Sequence, residues 1–401
     1  MSIRSILQAM RPHHLSSGFI AVLIGYTCSV AIICQAATNA GASHIELGSW
    51  LTALGLGIGL TTIGLSCYYR MPILTAWSTP GAALLITSIN GVPMNEVIGA
   101  FLCSSLLLAV CGFSGLFARI MRCLPLSLAN AMLAGVLLHF GLDLFHVLQQ
   151  QPLLVGTMLL GFLLLKSCLP RYALLLVLLL GMGIGWQQGL MQMNGFEISP
   201  IQLQWTTPSL SFRSLFSVAL PLFLITMSTQ NLPGIGVLRA HGYQPAVSPI
   251  IGWTGLTGLL LAPFGCYALN LAAITAALCM GKEADPEPSG RYLATCCAGV
   301  IFLLTGLLGA TVATLFTMLP QALIMTIAGL GLLSILGNSL HQAIQTDGER
   351  EAAMLTFLVT ASGLNYWGIG AAFWGLLAGG LTLSIQTGGW RIPWRQVRGL
   401  S

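Results

Sequence analysis

The sequence predicts an all-α polytopic membrane protein: fourteen transmembrane helices in two inverted seven-helix repeats, with the third and tenth helices broken at mid-span. Composition, the placement of basic residues and a matched pair of proline-glycine breaks lead there. The chain has 401 residues, 56% of them hydrophobic and only 6% charged, and a mean hydropathy of +0.87. A water-soluble surface needs about a quarter charged residues, so lipid solvates the outside of this one. The apolar runs are long and lack period-2 alternation, so each pairs its own backbone groups in a helix rather than in a barrel.

Windows of about twenty residues place the spans at 17–37, 47–69, 71–89, 97–118, 124–142, 153–169 and 172–190. After a polar stretch they resume at 214–232, 246–262, 263–280, 292–315, 319–336, 352–367 and 369–386. The chain divides accordingly into a cytoplasmic tail (1–16), a first repeat (17–190), an external connection (191–213), a second repeat (214–387) and a cytoplasmic tail (388–401). The first apolar stretch is long enough to span and another follows it, so it reads as a helix rather than a cleaved leader. The eleven cysteines, among them Cys28, Cys67, Cys103, Cys111, Cys266 and the Cys296–Cys297 pair, sit in apolar segments at no metal-ligand spacing and read as packing residues.

Lys and Arg collect on the cytoplasmic side of short loops. With the N-terminus inside, Arg4, Arg11, Arg70, Arg119, Arg122, Lys166, Arg171, Arg239, Lys282, Arg291, Arg350, Arg391, Arg395 and Arg398 all fall on that face, and only Arg213 falls outside. A span missed or invented in mid-chain would scramble this bias. It also accounts for the net charge of +5, which therefore gives no argument for nucleic acid.

An internal repeat supports the two halves. Gly112-Phe-Ser-Gly115, Leu124-Pro125 and Ala134-Gly135 match Gly306-Leu-Leu-Gly309, Leu319-Pro320 and Ala328-Gly329, and an odd repeat of seven inverts the second copy. The breaks, Trp77-Ser-Thr-Pro-Gly81 and Ala262-Pro-Phe-Gly-Cys-Tyr-Ala-Leu-Asn270, lie in the third and tenth spans. Pro removes a backbone donor and Gly relaxes the helix. Thr79 is the expected N-cap of one half-helix, with Pro80 at its first position, and Asn270 the expected cap of a half-helix over 271–278. Both N-termini would then face the bilayer centre, where dipoles and unpaired N–H groups favour an anion. Either break alone is equally an ordinary proline kink; two in corresponding spans point to a site.

The stretches Ala21-Val-Leu-Ile-Gly-Tyr26, Leu74-Thr-Ala-Trp-Ser-Thr-Pro-Gly-Ala-Ala83, Val218-Ala-Leu-Pro-Leu-Phe-Leu224, Ser248-Pro249 and Phe357-Leu-Val-Thr-Ala-Ser-Gly363 resemble the benzoate-proton symporter family. The resemblance runs over nearly the whole chain. It implies the fold of the uracil and nucleobase-ascorbate transporters, with a core domain and a gate domain that move by an elevator or rocking step. It implies uptake of a small organic anion, benzoate or similar, with a proton, by a protein in the inner membrane, with a homodimer as a candidate assembly and no cofactor. Carried onto this sequence, the substrate site takes in Ser78, Thr79, Pro80, Gly81 and Ala82 of the third helix, and Gly265, Cys266, Tyr267, Ala268, Leu269 and Asn270 of the tenth. Ser228, Thr229, Gln230 and Asn231 of the eighth join them, and Tyr26, Trp77 and Tyr267 would face the ring. The nucleobase relatives carry acidic side chains in the eighth and tenth helices. Here neither span has one, which suits a carboxylate substrate and leaves the proton carrier to be found elsewhere.

His139 and Asp143, in the fifth span, are the titratable candidates for proton coupling. With His146 they form an i, i+4, i+7 set, which reads as an interfacial polar cluster rather than a metal site. Gly112-Phe-Ser-Gly115 resembles the Gly-x-Ser-Gly of intramembrane serine proteases, but its repeat mate lacks the Ser, so helix packing is the simpler reading. His13, His14 and the acidic run from Glu283 to Glu287 read as solvated loop charges. No phosphate-binding loop is present, so an ion or substrate gradient must supply the energy. A passive anion channel and an intramembrane serine hydrolase are the alternatives. The charge asymmetry makes a direct prediction: a reporter fused after Ser401 reads cytoplasmic and one inserted near Gln150 reads external, and a cytoplasmic Gln150 would break the fourteen-span topology.

Overall fold

The computed structural model describes residues 10–89, 91–117, 125–170, 172–191, 201 and 203–386. Residues 1–9 and 388–401 of the tails, part of the connection at 191–213, and Arg4, Arg119, Arg122, Arg171, Arg391, Arg395 and Arg398 lie outside the described residues, while 12–16, expected in the N-terminal tail, are already helical in α1. The elements are α1 (Pro12–Asn39), α2 (His44–Tyr69), β1 (Thr75–Trp77), α3 (Thr79–Ser88), α4 (Met94–Phe113), α5 (Leu126–Gln150), α6 (Pro152–Cys168), α7 (Ala173–Gln187) and α8 (Phe212–Ala240). They continue with α9 (Val247–Phe264), β2 (Leu269–Leu271), α10 (Ile274–Leu278), α11 (Tyr292–Leu307), α12 (Gly309–Thr317), α13 (Gln321–Ile344), α14 (Arg350–Ala361) and α15 (Ala371–Gln386).

Among the described residues, seven helices are long and apolar enough to cross a membrane: α1, α2, α4, α5, α8, α9 and α13. The α11–α12 pair would make an eighth, and α6, α7 and α15 are shorter apolar helices. The run 292–315, expected as one straight span, bends by 69° between α11 and α12. Leu308 caps α11 there, just as Ser114 caps α4 at the matching place in the repeat. The shared Gly-x-x-Gly therefore marks a helix end that a purely apolar run conceals.

The helices pack in mirrored pairs. α4 lies along α9, and its counterpart α11 lies along α2; α5 pairs with α13, and α14 with α15. Glycines allow these seams to close. A Cβ on Gly112 would stand 2.2 Å from Gly252 N, and one on Gly306 would stand 3.0 Å from Gly55 Cα. This supports the packing reading of the Gly112–Gly115 motif, and Ser114 spends its hydroxyl on Val110 O of its own helix. The largest buried cluster joins α1–α4 with α8–α11 and reaches one face of α5, while a second forms among α5, α6, α7 and α13. The outward leucines of α6 and α7, such as Leu160, Leu164 and Leu179, are exposed, as a lipid-facing surface requires. Nine described cysteines are free thiols, with Cys67 and Cys296 touching across the α2–α11 seam at 3.5 Å.

Gly265 is the most constrained turn. Its φ is +94°, and a Cβ there would stand 1.8 Å from the Trp50 ring. Backbone strain and overpacking act together, so Gly265→Ala should cost about 2–5 kcal/mol. Thermal unfolding of the purified protein should show a lower midpoint or no monodisperse fraction, whereas Gly64→Ala, with open space at its Cβ, should match the parent.

Candidate functional site

The two breaks meet. β1 and β2 run antiparallel through the interior, pairing Thr75 with Leu271, Ala76 with Asn270 and Trp77 with Leu269. Leu74 O extends the ladder by accepting from Ala272 N at 2.9 Å. Peptide groups left unpaired by a broken helix are costly away from water, and side chains satisfy those that the ladder does not. The Thr62 hydroxyl accepts from Thr75 N at 3.1 Å, and the Thr75 hydroxyl lies within 2.7 Å and 2.8 Å of those of Thr61 and Thr62. Asn231 Oδ1 accepts from Leu271 N at 2.9 Å, reaching it from the π-helical turn Thr226–Asn231 of α8. Asn231 therefore fixes the tenth span to the eighth.

The expected caps shift. Ser78, not Thr79, is the N-cap of α3: its hydroxyl accepts from Gly81 N at 3.0 Å, and Thr79 and Pro80 are the first two helical residues. Because Pro80 carries no N–H, the cap serves the third position and leaves the Thr79 N–H outside the helix ladder. The Thr79 hydroxyl instead bonds Ser29 of α1 at 2.7 Å. A Cβ on Gly81 would stand 2.7 Å from Leu222 Cδ1, so its glycine lets α8 come close. Asn270 caps nothing. It lies inside β2, where Nδ2 donates to Ala268 O at 3.1 Å and Oδ1 is buried without a partner. The helix beyond starts at Ile274, not 271, and spans five residues. A helix dipole needs aligned peptides to build up, so the two half-helices are unequal and α3 supplies the field.

The aromatic residues divide. Tyr26 and Trp77 come together edge to face at 5.0 Å, and Phe302 of α11 completes the group, stacked on Tyr26 at 5.8 Å and edge to face with Trp77 at 5.9 Å. The Tyr26 hydroxyl approaches Thr305 without a well-formed hydrogen bond. Tyr267 joins a different group, with Trp50 and Phe101, and is fully buried. Between Gly265 and β2, Ala268 adopts φ +40°, a conformation disfavoured for a residue with a Cβ and one that gathers at functional sites. In α8, Ser228 and Thr229 return their hydroxyls to Leu224 O and Ile225 O, both at 2.7 Å, while Gln230 is half-buried. Thr75, Ser29 and Phe302 belong to the site without a sequence signal, since a hydroxyl or ring inside an apolar run looks like packing.

The fifth-span residues lie elsewhere. His139 lines a pocket near the end of α3, and Asp143, half-exposed, faces His146 at 3.7 Å. One metal-ligand grouping occurs among the described residues: His13, His14 and Asp285, at the start of α1 and in the connection after α10. His14 Nδ1 accepts from Arg11 N at 3.0 Å, so the proton sits on Nε2, which donates to Asp285 Oδ2 at 2.8 Å. That tautomer holds a carboxylate rather than a metal. Burial alone would raise the Asp285 pKa, but the His14 hydrogen bond, the Glu287 N–H and the neighbouring histidines outweigh it and hold it below the usual value. These residues form a clasp, not solvated loop charges: His14 is 1% exposed.

The arrangement offers a buried helix N-terminus, a hydroxyl pair and an aromatic wall, with no ionised side chain in β1, β2, α3 or α10. Groups of these kinds suit a carboxylate joined to a flat ring. The sequence is 50% identical over 375 residues to the inner membrane protein YdcO of Escherichia coli (strain K12), spanning 94% of this chain and 96% of that protein. It is 36% identical over 369 residues to the benzoate membrane transport protein of Acinetobacter baylyi (strain ATCC 33305 / BD413 / ADP1), spanning 92% and 94%. In fold it is similar to SLC26A9, with a TM-score of 0.62 at 14% identity over 92% of this chain and 65% of that one. The transmembrane domain of a cyanobacterium bicarbonate transporter, BicA, gives 0.59 at 13% identity over 92% and 97%. The family model described as benzoate membrane transport protein matches residues 8–385, and the chain belongs to that family.

Proposed function

We propose that this protein is a secondary active transporter that takes up a small aromatic carboxylate, benzoate foremost, by proton symport across the inner membrane. The observation that carries the reading is the buried start of α3, where a capped helix N-terminus faces the Tyr26–Trp77–Phe302 group with no acidic side chain in the paired breaks. Helix N–H groups and hydroxyls would hold the carboxylate, and the rings would hold the aromatic part. Membership of a benzoate transport family and the likeness in fold to anion transporters support the same direction.

In this reading each half of the chain, 17–190 and 214–387, contributes seven spans. The two strand-helix breaks count as one span each, as does the bent α11–α12 pair. Both termini are cytoplasmic. The first buried cluster corresponds to the core and the second, with α14 and α15, to the gate, and substrate crosses when one slides against the other. His139 is the better proton carrier of the two candidates: it is half-buried beside a pocket, whereas Asp143 is already engaged with His146. A channel would not need such a group, and a hydrolase would need a base beside Ser114, whose hydroxyl bonds its own helix.

Two predictions follow from the site and the coupling. Ser78→Ala should weaken benzoate binding about 5-fold, the worth of one N-cap. Asn270→Asp should weaken it further by placing like charge beside the anion. Calorimetry on monodisperse protein measures both, and parental affinity in the pair would move the site away from the breaks. In proteoliposomes, His139→Gln should abolish accumulation driven by a pH gradient while Asp143→Asn retains it; accumulation that survives in His139→Gln removes this assignment.

A further inference from the structure

We propose that Cys67 and Cys296 form a redox-modification site, a thiol pair that a peroxide converts into a disulfide stapling α2 to α11. The inference does not depend on what the protein transports. The two sulfurs touch at 3.5 Å, although 229 residues separate them in the sequence.

The contact is built into the packing of the two helices. They run antiparallel: a Cβ on Gly55 would meet Gly306, one on Gly59 would meet Leu303, and one on Gly299 would meet Ile63. At the end of this seam the Thr295 hydroxyl donates to Ser66 Oγ at 3.0 Å, and Ser66 donates onward to Ile73 O at 2.8 Å. Cys67 and Cys296 stand immediately beside that pair. A disulfide needs backbones that lie close together. The glycine seam brings them together, and the hydroxyl bridge next door keeps the helix ends from parting. Cys297 points elsewhere, since its Cβ lies 3.0 Å from where a Cβ on Gly18 of α1 would stand.

The two thiols differ in access. Cys296 is 1% exposed, whereas Cys67 is half-buried and followed by the exposed Tyr68 and Arg70. Cys67 is therefore the sulfur that an oxidant reaches, with Cys296 poised behind it as the resolving thiol. The Cys67 thiolate attacks one oxygen of hydrogen peroxide. The O–O bond breaks, the sulfur becomes a sulfenic acid, and the leaving hydroxide takes up the thiol proton as water. Cys296 then attacks the Cys67 sulfur, an S–S bond replaces the S–O bond, and the departing hydroxide carries off the Cys296 proton as a second water. Two thiols and one peroxide give one disulfide and two waters. In the topology proposed above this end of the seam is cytoplasmic, where thiols rest reduced, so the bond forms under oxidative load and reverses afterwards. α2 supplies the Thr61 and Thr62 hydroxyls that hold β1, and α11 supplies Phe302. The staple thus ties together two supports of the candidate site without entering it.

Purified parent protein, treated with excess hydrogen peroxide, blocked with N-ethylmaleimide and digested with chymotrypsin, tests this by mass spectrometry. A peptide linking Cys67 to Cys296 is expected, lost on phosphine reduction and retained in Cys297→Ser. In Cys296→Ala, dimedone, a probe for sulfenic acid, should label Cys67. The thermal midpoint of the oxidised parent should exceed that of the reduced parent by about 5–10 °C, because the bond closes a long loop, and Cys67→Ala should abolish the rise. The proposal is overturned if the parent gives no Cys67 link or one to Cys297 instead, if dimedone leaves Cys67 unlabelled, or if the link leaves the midpoint unchanged. No substrate enters these measurements, so failure of the transport reading would not alter them.

Discussion

A helix broken inside a bilayer exposes peptide groups where no water can reach them, and each one left unpaired is worth several kcal/mol. Two such breaks would be ruinous apart. Together they complement one another, because β1 and β2 each offer the edge that the other needs, and residues 75–77 pair with 269–271. The rest of the interior is arranged around that ladder. Thr61, Thr62 and Asn231 all secure the end where Thr75 pairs with Leu271, and Asn231 reaches it from a π-helical turn of α8. The site is a by-product of the repair. Once the strands are paired, α3 must begin in the middle of the protein with its N–H end inward.

Much of this was legible in the residues. Proline and glycine at 80, 81, 263 and 265 announced both breaks, because those residue types alter backbone geometry whatever surrounds them. What stayed hidden depended on contacts between distant segments. Whether Ser78 or Thr79 capped α3 was decided by Ser29 drawing the Thr79 hydroxyl away to α1. Asn270 read as a cap because helix continuation looked cheaper than a strand, and only a second strand opposite it reverses that preference. Phe302 gave no signal, being one apolar residue among many in α11. The bend after α11 was equally silent in hydropathy, since both arms are apolar and only the glycine repeat hinted at an end.

The two halves are alike in plan and unequal in execution. Both carry a break, a following helix pair and a Gly-x-x-Gly at a helix end. Yet the helix after β1 has ten residues and a side-chain cap, and that after β2 has five and none. An inverted repeat with equal dipoles would hold an anion symmetrically between them. Here the longer, capped helix lies in the first half, while the second contributes a left-handed Ala268 and a ladder edge.

The glycine seam between α2 and α11 has a mechanical meaning. Gly55 of α2 meets Gly306 of α11, and Gly48 meets the Ala310 backbone at the start of α12, across spaces too small for one added carbon. Backbone stands against backbone with no cushion of side chains, and close-packed interiors are poorly compressible. A load applied to either helix passes to its partner without being absorbed, so the pair acts as a strut. The compliance of the protein resides where leucine meets leucine, as along α6 and α7, whose side chains can change rotamer and give way.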